Sequence, residues 1–452
     1  MKVIKKGSGI RDQGSGCSWL ERGACCQQVQ ITNNDPSPQS PVPSPSLFPA
    51  PWSLIPIALL ALFLLGCAQR SDWVQFRGKG GLGASPSRIS PPLGVRWKIK
   101  LQQDERTLSS LNPPVVLGDT IYFGSADGNF YALDVESGYM RWVFKSGAEI
   151  NSIPYVDEKN VYFGSKDGKL YALSRETGDE IWSFPVYTQI NSQVERYKDY
   201  IVFVGDAEAI HFLSPDGDEV FNVYNPGWYH FTFLLSDDVM YFATGPNVEL
   251  IGPYDIKRRE FLWFLPYYTL MAYWYSFPTV RGDLLYFGTL GRDGMELGFY
   301  AYNRHSGELV WEQHTDGVWE MDYEEIIDLL FRNIELLDFL APTIWKNLVI
   351  YSGGDTAARA FDAKTGALKW QQTFDTPVAS APTVAGDRVY FGLLGDDFTG
   401  VQPSFVCLAA NNGKLLWSME TEGALLSAPV IAGKRIIFGT DKSVFYVLEE
   451  VF

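Results

Sequence analysis

The chain has 452 residues, with 37 Lys+Arg against 53 Asp+Glu and a formal charge of −16. That acidic balance argues against a nucleic-acid partner, for which a basic patch supplies most of the affinity. A hydrophobic content of 46% excludes a wholly disordered chain, and 42 Gly with 26 Pro spread along it favour many short strands over long helices. The five cysteines form no CxxC or CxxCH, so zinc ribbons, thioredoxin-type redox sites and c-type haem attachment have no support.

Residues 1–66 read as a leader. Asn33 to Pro51 is rich in Pro and Ser and cannot bury a core. Leu54 to Leu65 is a mostly apolar run that as a helix would span ~18 Å, short of the ~30 Å hydrocarbon core, and so reads as the h-region of a signal peptide. Leu64-Leu65-Gly66-Cys67 follows. This tetrapeptide resembles the bacterial lipobox. The resemblance implies that Cys67 is lipidated and anchors the chain in a membrane, because several acyl chains on one residue partition firmly. Ala68, in place of Asp after the cysteine, implies by the same resemblance the outer membrane, facing the periplasm. The segment departs from the usual pattern in one respect: no charge lies between Asp35 and Arg70. Residues 67–93 then read as the lipidated cysteine and a linker, with Gly78-Lys79-Gly80-Gly81-Leu82-Gly83 as a flexible stretch, since no strand–helix unit follows it to make a phosphate cradle.

From residue 94 onward the chain repeats. Ile121-Tyr122-Phe123-Gly124-Ser125 recurs as Val161-Tyr162-Phe163-Gly164-Ser165, and weaker copies follow at Val202-Phe203, Tyr241-Phe242, Tyr286-Phe287-Gly288, Ile350-Tyr351, Tyr390-Phe391-Gly392 and Ile437-Phe438-Gly439. Most copies end in Gly-x-x-x-Trp, from Gly138-to-Trp142 to Gly413-to-Trp417; the third ends Gly217-to-Phe221 and the fourth keeps Trp263 without the glycine. Each unit reads as four strands, a to d, with Asp127-Gly128 and Asp167-Gly168 marking tight b–c hairpins. Units of ~40–45 residues that cannot bury both faces alone predict stacked propeller blades, with the tryptophans and the aromatic pair filling the gaps. The last unit stops after strand c, and Gly94-Val95-Arg96-Trp97-Lys98-Ile99 resembles its missing strand d. The expectation is an all-β, eight-bladed propeller at 94–452, monomeric and closed by its N-terminal strand, which removes both sheet edges.

These units resemble the pyrroloquinoline-quinone-type propeller repeat, with its Tyr-Phe-Gly-Ser-x-Asp-Gly-x-Leu-Tyr-Ala-Leu-Asp-x-x-Thr-Gly-x-x-x-Trp pattern. Asp72-Trp73-Val74-Gln75-Phe76-Arg77-Gly78 resembles the lead-in of bacterial proteins of this class. Quinone dehydrogenases that share the repeat hold the cofactor (PQQ) at the ring centre with calcium ligands, a tryptophan floor and often vicinal cysteines. Here the adjacent pair Cys25-Cys26 falls in the leader. His211, His230, His305 and His314 have no HxH or HExxH spacing, and no G-x-S-x-G or Walker loop occurs. No catalytic residue, metal or cofactor is expected, with PQQ the one cofactor the resemblance leaves open.

Two features point to binding. The residues two before each strand-a anchor include Asn112, Ser152, Ser192, Ser276, Ser380 and Ser427 and should ring one mouth of the channel; satisfying crowded backbone is the simpler role for them. Two aromatic d–a connections, around Trp228, Tyr229 and His230 and around Tyr273, Trp274 and Tyr275, belong to neighbouring units and either form an interface or plug the channel. An insertion at about 316–340, carried by the sixth blade, has near-helical apolar spacing at Ile326, Ile327, Leu330, Ile334, Leu337 and Phe339; it is expected to pack on its own ring, with the grip of a partner helix as the alternative. The reading that follows is a membrane-anchored, non-catalytic scaffold for an envelope protein partner. It resembles the propeller lipoproteins of the outer-membrane β-barrel assembly machine. The alternatives are a PQQ-dependent oxidoreductase and a carbohydrate- or polymer-binding propeller.

Overall fold

The computed structural model describes residues 72–101, 112–205, 209–224, 232–242, 250–266, 272–291, 296–316, 341–353, 355–396 and 399–451. The expected insertion at 316–340 therefore lies outside the described residues, apart from its first position. Eight four-stranded antiparallel blades form a ring. Blade one is representative. Its strands a to d are Val115–Leu117, Thr120–Gly124, Asn129–Asp134 and Met140–Lys145. Strand b is buried along its whole length, while strand d alternates exposed and half-buried residues, as befits the outermost strand of a blade. Blades two to seven repeat this order over 155–185, 195–224, 233–261, 279–316, 343–373 and 383–420. Blade four is the most reduced, with two-residue c and d strands at Tyr254–Asp255 and Glu260–Phe261.

Blade eight joins the two ends of the chain. Val430–Ala432, Arg435–Gly439 and Val444–Glu450 supply strands a to c, and Leu93–Lys100 supplies strand d. Trp97 lies opposite Val447, with pairing that runs from Leu93↔Glu450 to Lys100↔Val444. An ion-pair group spans the seam: Arg96 and Arg435 each bind both Glu136 of blade one and Glu449 of blade eight.

The Gly-x-x-x-Trp motif works between blades, not within one. The indole N–H of Trp97, Trp142, Trp182, Trp263, Trp311 and Trp370 donates to a c–d turn carbonyl of the following blade at 2.9–3.0 Å. Against each ring lies the glycine of that same turn, respectively Gly138, Gly178, Gly217, Gly307, Gly366 and Gly413, all at positive φ. A Cβ there would sit within 2.9 Å of the indole. At the junction of blades three and four both residues change together. Phe221 replaces the tryptophan, and Arg259 takes the turn position at φ 59° with its guanidinium 4.4 Å from the Phe221 ring centre. The cation–π contact takes the place of glycine-on-indole packing. The aromatic pairs add a second inter-blade layer, with Phe130 stacked on Phe163 at 4.1 Å and Phe123 on Phe445 at 4.6 Å.

Candidate functional site

A propeller offers three places for function: the channel and the two faces. The four strands of a blade put the a–b and c–d turns on one face and the b–c and d–a connections on the other.

The channel is closed at its a–b end by the chain's own N-terminal segment. Residues 72–92, expected as a linker, are folded against the ring. Trp73 is 3% exposed and exchanges backbone hydrogen bonds with Val116 of blade one. Val74 C=O accepts the Val156 amide of blade two. Phe76 packs edge-on to Phe277 ahead of blade five at 5.0 Å. The buried Arg77 donates through Nη2 to Pro342 C=O of blade six at 2.8 Å and lies 3.5 Å from Pro382 C=O of blade seven. Thr343 Oγ1 donates to the Gly83 carbonyl, and Ala84–Ser85 adds a parallel strand to Val384–Ala385. The glycine run that suggested flexibility marks close approach instead. A Cβ on Gly81 would meet Leu234 at 2.4 Å, and one on Gly83 would meet Arg77 at 2.5 Å.

The six polar residues expected at the opposite mouth are all buried in the wall. Their side chains bond to backbone. Asn112 Nδ2 donates to Asn151 C=O and Ser152 Oγ to Ser192 C=O, each reaching the next blade. Ser192, Ser276 and Ser380 accept the amides of Val204, Gly288 and Gly392, each twelve residues on, at 2.9 Å. Ser427 is 2% exposed. Gln193 continues the same girdle by donating to Phe233 C=O.

Glu195 is the buried carboxyl of this wall. Burial pushes its pKa up to about 8, against the opposing hydrogen bond from Gln193 Nε2, so it is largely a neutral acid at pH 7 and a poor cation ligand. Among the described residues no group of three His, Cys, Asp or Glu is placed to hold a metal ion. The described histidines serve structure: His211 Nδ1 is 2.7 Å from Glu219 and its ring stacks on Phe203, while His305 and His314 lie beside Asp283 and Glu296. Among the described residues no such carboxylate set stands ready for the calcium that accompanies the quinone in dehydrogenases sharing the repeat.

Trp228, Tyr229, His230 and Cys67 lie outside the described residues. Tyr273, Trp274 and Tyr275 fall in the strand Ala272–Tyr275, which pairs with Leu290 and Thr289 at the far end of strand b of blade five. Strands b, c and d of that blade are eight residues long, against five or six in blade one, so blade five stands proud on the b–c and d–a face. Beside it, Tyr241, Trp263, Ser276, Pro278 and Phe287 line a small apolar cleft between blades four and five. The long hairpin was not anticipated; the spacing from Tyr286 to Trp311, longer than from Tyr122 to Trp142, was its signal.

Ring, repeat and plugged channel together define a propeller of the pyrroloquinoline-quinone repeat class. The family model described as outer membrane protein assembly factor BamB matches residues 94–220, 298–402 and 398–451, more than half of the chain, and the chain belongs to that family. Among solved structures it is similar to BamB from Moraxella catarrhalis, at 16% identity and TM-score 0.59, over 79% of this chain and 99% of that one. It is also similar to a quinohemoprotein alcohol dehydrogenase from Pseudomonas putida HK5, at 15% identity and TM-score 0.64, over 84% and 80%. A europium-containing methanol dehydrogenase matches at 14% identity and TM-score 0.61, over 84% and 98%. At these identities the likeness speaks to fold alone. No curated protein matches the chain in sequence.

Proposed function

We propose that this chain is a non-catalytic scaffold of the bacterial envelope. It is anchored through lipid on Cys67 to the outer membrane, faces the periplasm, and presents its loops to a protein partner in outer-membrane protein assembly. The family match over the repeats carries this reading. The plugged channel and the bonded wall hydroxyls agree with it, since they leave the faces, not the axis, as contact surface. Trp228, Tyr229, His230, Tyr273, Trp274 and Tyr275 are the proposed contact residues, as clustered aromatic side chains are the usual hot spots of an interface. Lipid anchoring would hold the ring near its partner, so that modest contacts bind tightly through effective concentration.

Affinity capture from detergent-solubilised envelopes tests this. The wild-type chain is expected to bring down a component of outer-membrane protein assembly in stoichiometric amount. A Cys67→Ser chain should lose palmitate labelling and most of the captured partner, and Trp274→Ala should lose partner while keeping the label. Equal palmitate in Cys67→Ser would contradict the anchor, and capture of no assembly component would contradict the scaffold role. The second reading, a quinone-dependent oxidoreductase, draws on the likeness to the two dehydrogenases. Saturable absorbance change and dye reduction on adding PQQ and calcium to the purified chain would establish it over the first.

A further inference from the structure

The N-terminal plug also fixes which face of the ring can meet a membrane. Asp72 Oδ1 accepts the amide of Gly118, in the a–b turn of blade one, at 2.9 Å, and Trp73 pairs with the adjacent strand a. Strand a is the innermost of the blade, so the described chain starts beside the channel on the a–b and c–d face. Cys67 is five residues before Asp72. Even fully extended, that stretch reaches ~18 Å. To carry Cys67 to the opposite face, the chain would have to cross three inter-strand gaps of ~4.8 Å and then descend a five- or six-residue strand of ~17–20 Å, more than ~30 Å in all. The route through the channel is filled by Phe76 and Arg77, both about 1% exposed.

We infer that a lipid on Cys67 holds the ring with its a–b and c–d face toward the bilayer surface and its b–c and d–a face toward the periplasm, an orientation that rests on the anchor proposed above. The long hairpins of blade five, with Tyr273 to Tyr275 beside them, then project away from the membrane.

Lipidated, leader-free protein in phosphatidylethanolamine–phosphatidylglycerol vesicles tests the orientation. Cys407→Ser removes the one cysteine among the described residues. A fluorophore is then placed at Lys346→Cys or Lys364→Cys on one face, or at Tyr187→Cys, 98% exposed in the connection from blade two to blade three, on the other. A headgroup-attached quencher should suppress the first two labels at least several-fold more than the third. Equal or reversed quenching on protein that floats with the vesicles would overturn the orientation, whereas protein that fails to float would overturn the anchor beneath it. A long Gly/Ser insertion between Gln69 and Arg70 should erase the difference. An undiminished difference would contradict the tether as its cause.

Discussion

Replacing Arg359 with alanine is expected to destabilise the propeller by about 3–5 kcal/mol, because it strands a buried carboxylate. Arg359 is 3% exposed and Asp355 is fully buried. Nη1 and Nη2 donate to the two carboxylate oxygens at 2.9 and 2.5 Å, Nε donates to Gln371 Oε1 at 3.2 Å, and Asp355 also accepts the Ala357 amide. The pair ties the b–c turn of blade six to its strand c. The repeat shows how the position can be filled otherwise. Four residues after the turn aspartate, blades one and two have Tyr131 and Tyr171, whose hydroxyls donate to Asp127 at 2.6 Å and Asp167 at 2.7 Å. Arg359→Tyr should therefore recover much of what alanine loses, since one strong donor to Asp355 remains. Urea unfolding followed by tryptophan fluorescence measures both. Alanine within about 1 kcal/mol of wild type would show that the pair is not a closed structural unit.

The second large effect is expected at Gly366. Alanine there should cost about 2–5 kcal/mol, the sum of ~1–2 for a left-handed backbone and ~1–3 for overpacking. Its φ is +70°, and the new methyl would lie 2.7–2.8 Å from the ring of Trp311, which is itself held by its indole hydrogen bond to Ala363 C=O. Gly433 is the internal control. Its φ is +60° and an added Cβ would meet nothing within 4 Å, so Gly433→Ala should show the backbone part alone. Equal losses at both sites would mean that the indole moves aside freely and does not lock blade five to blade six.

That motif also shows what a single sequence reveals of such a fold. Strand order, blade number and the closing strand were legible because the Tyr-Phe-Gly core recurs and the last copy lacks a strand that Trp97 supplies. The partner of each glycine was not, because it lies about one repeat upstream, in the previous blade, while the tryptophan four residues later faces the next blade. The same shift hid the pairing of Phe221 with Arg259, which in sequence reads as two unrelated departures from the repeat. The plug was missed for a different reason: Gly78 to Gly83 has the composition of a flexible stretch, and only the ring shows that Gly81 and Gly83 have no room for a side chain. The serines were singled out by their place ahead of strand a, and the structure buries their side chains against backbone. Their bonds to backbone follow from crowding where strand a meets the end of strand b, which composition alone does not show. The aromatic connections were visible as clusters, but Tyr273 to Tyr275 form a strand of blade five where a loop was expected.

Native-state hydrogen exchange across the chain ends tests the central claim, that the N-terminal segment both seals the ring and plugs it. The amides of Leu93–Lys100 that face Val444–Glu450, and that of Trp73, are predicted to exchange as slowly as the blade cores, opening only with the whole propeller. Rapid exchange of those ladder amides while the blade cores stay protected would contradict the account, because the ring would then stand open between its first and last blades.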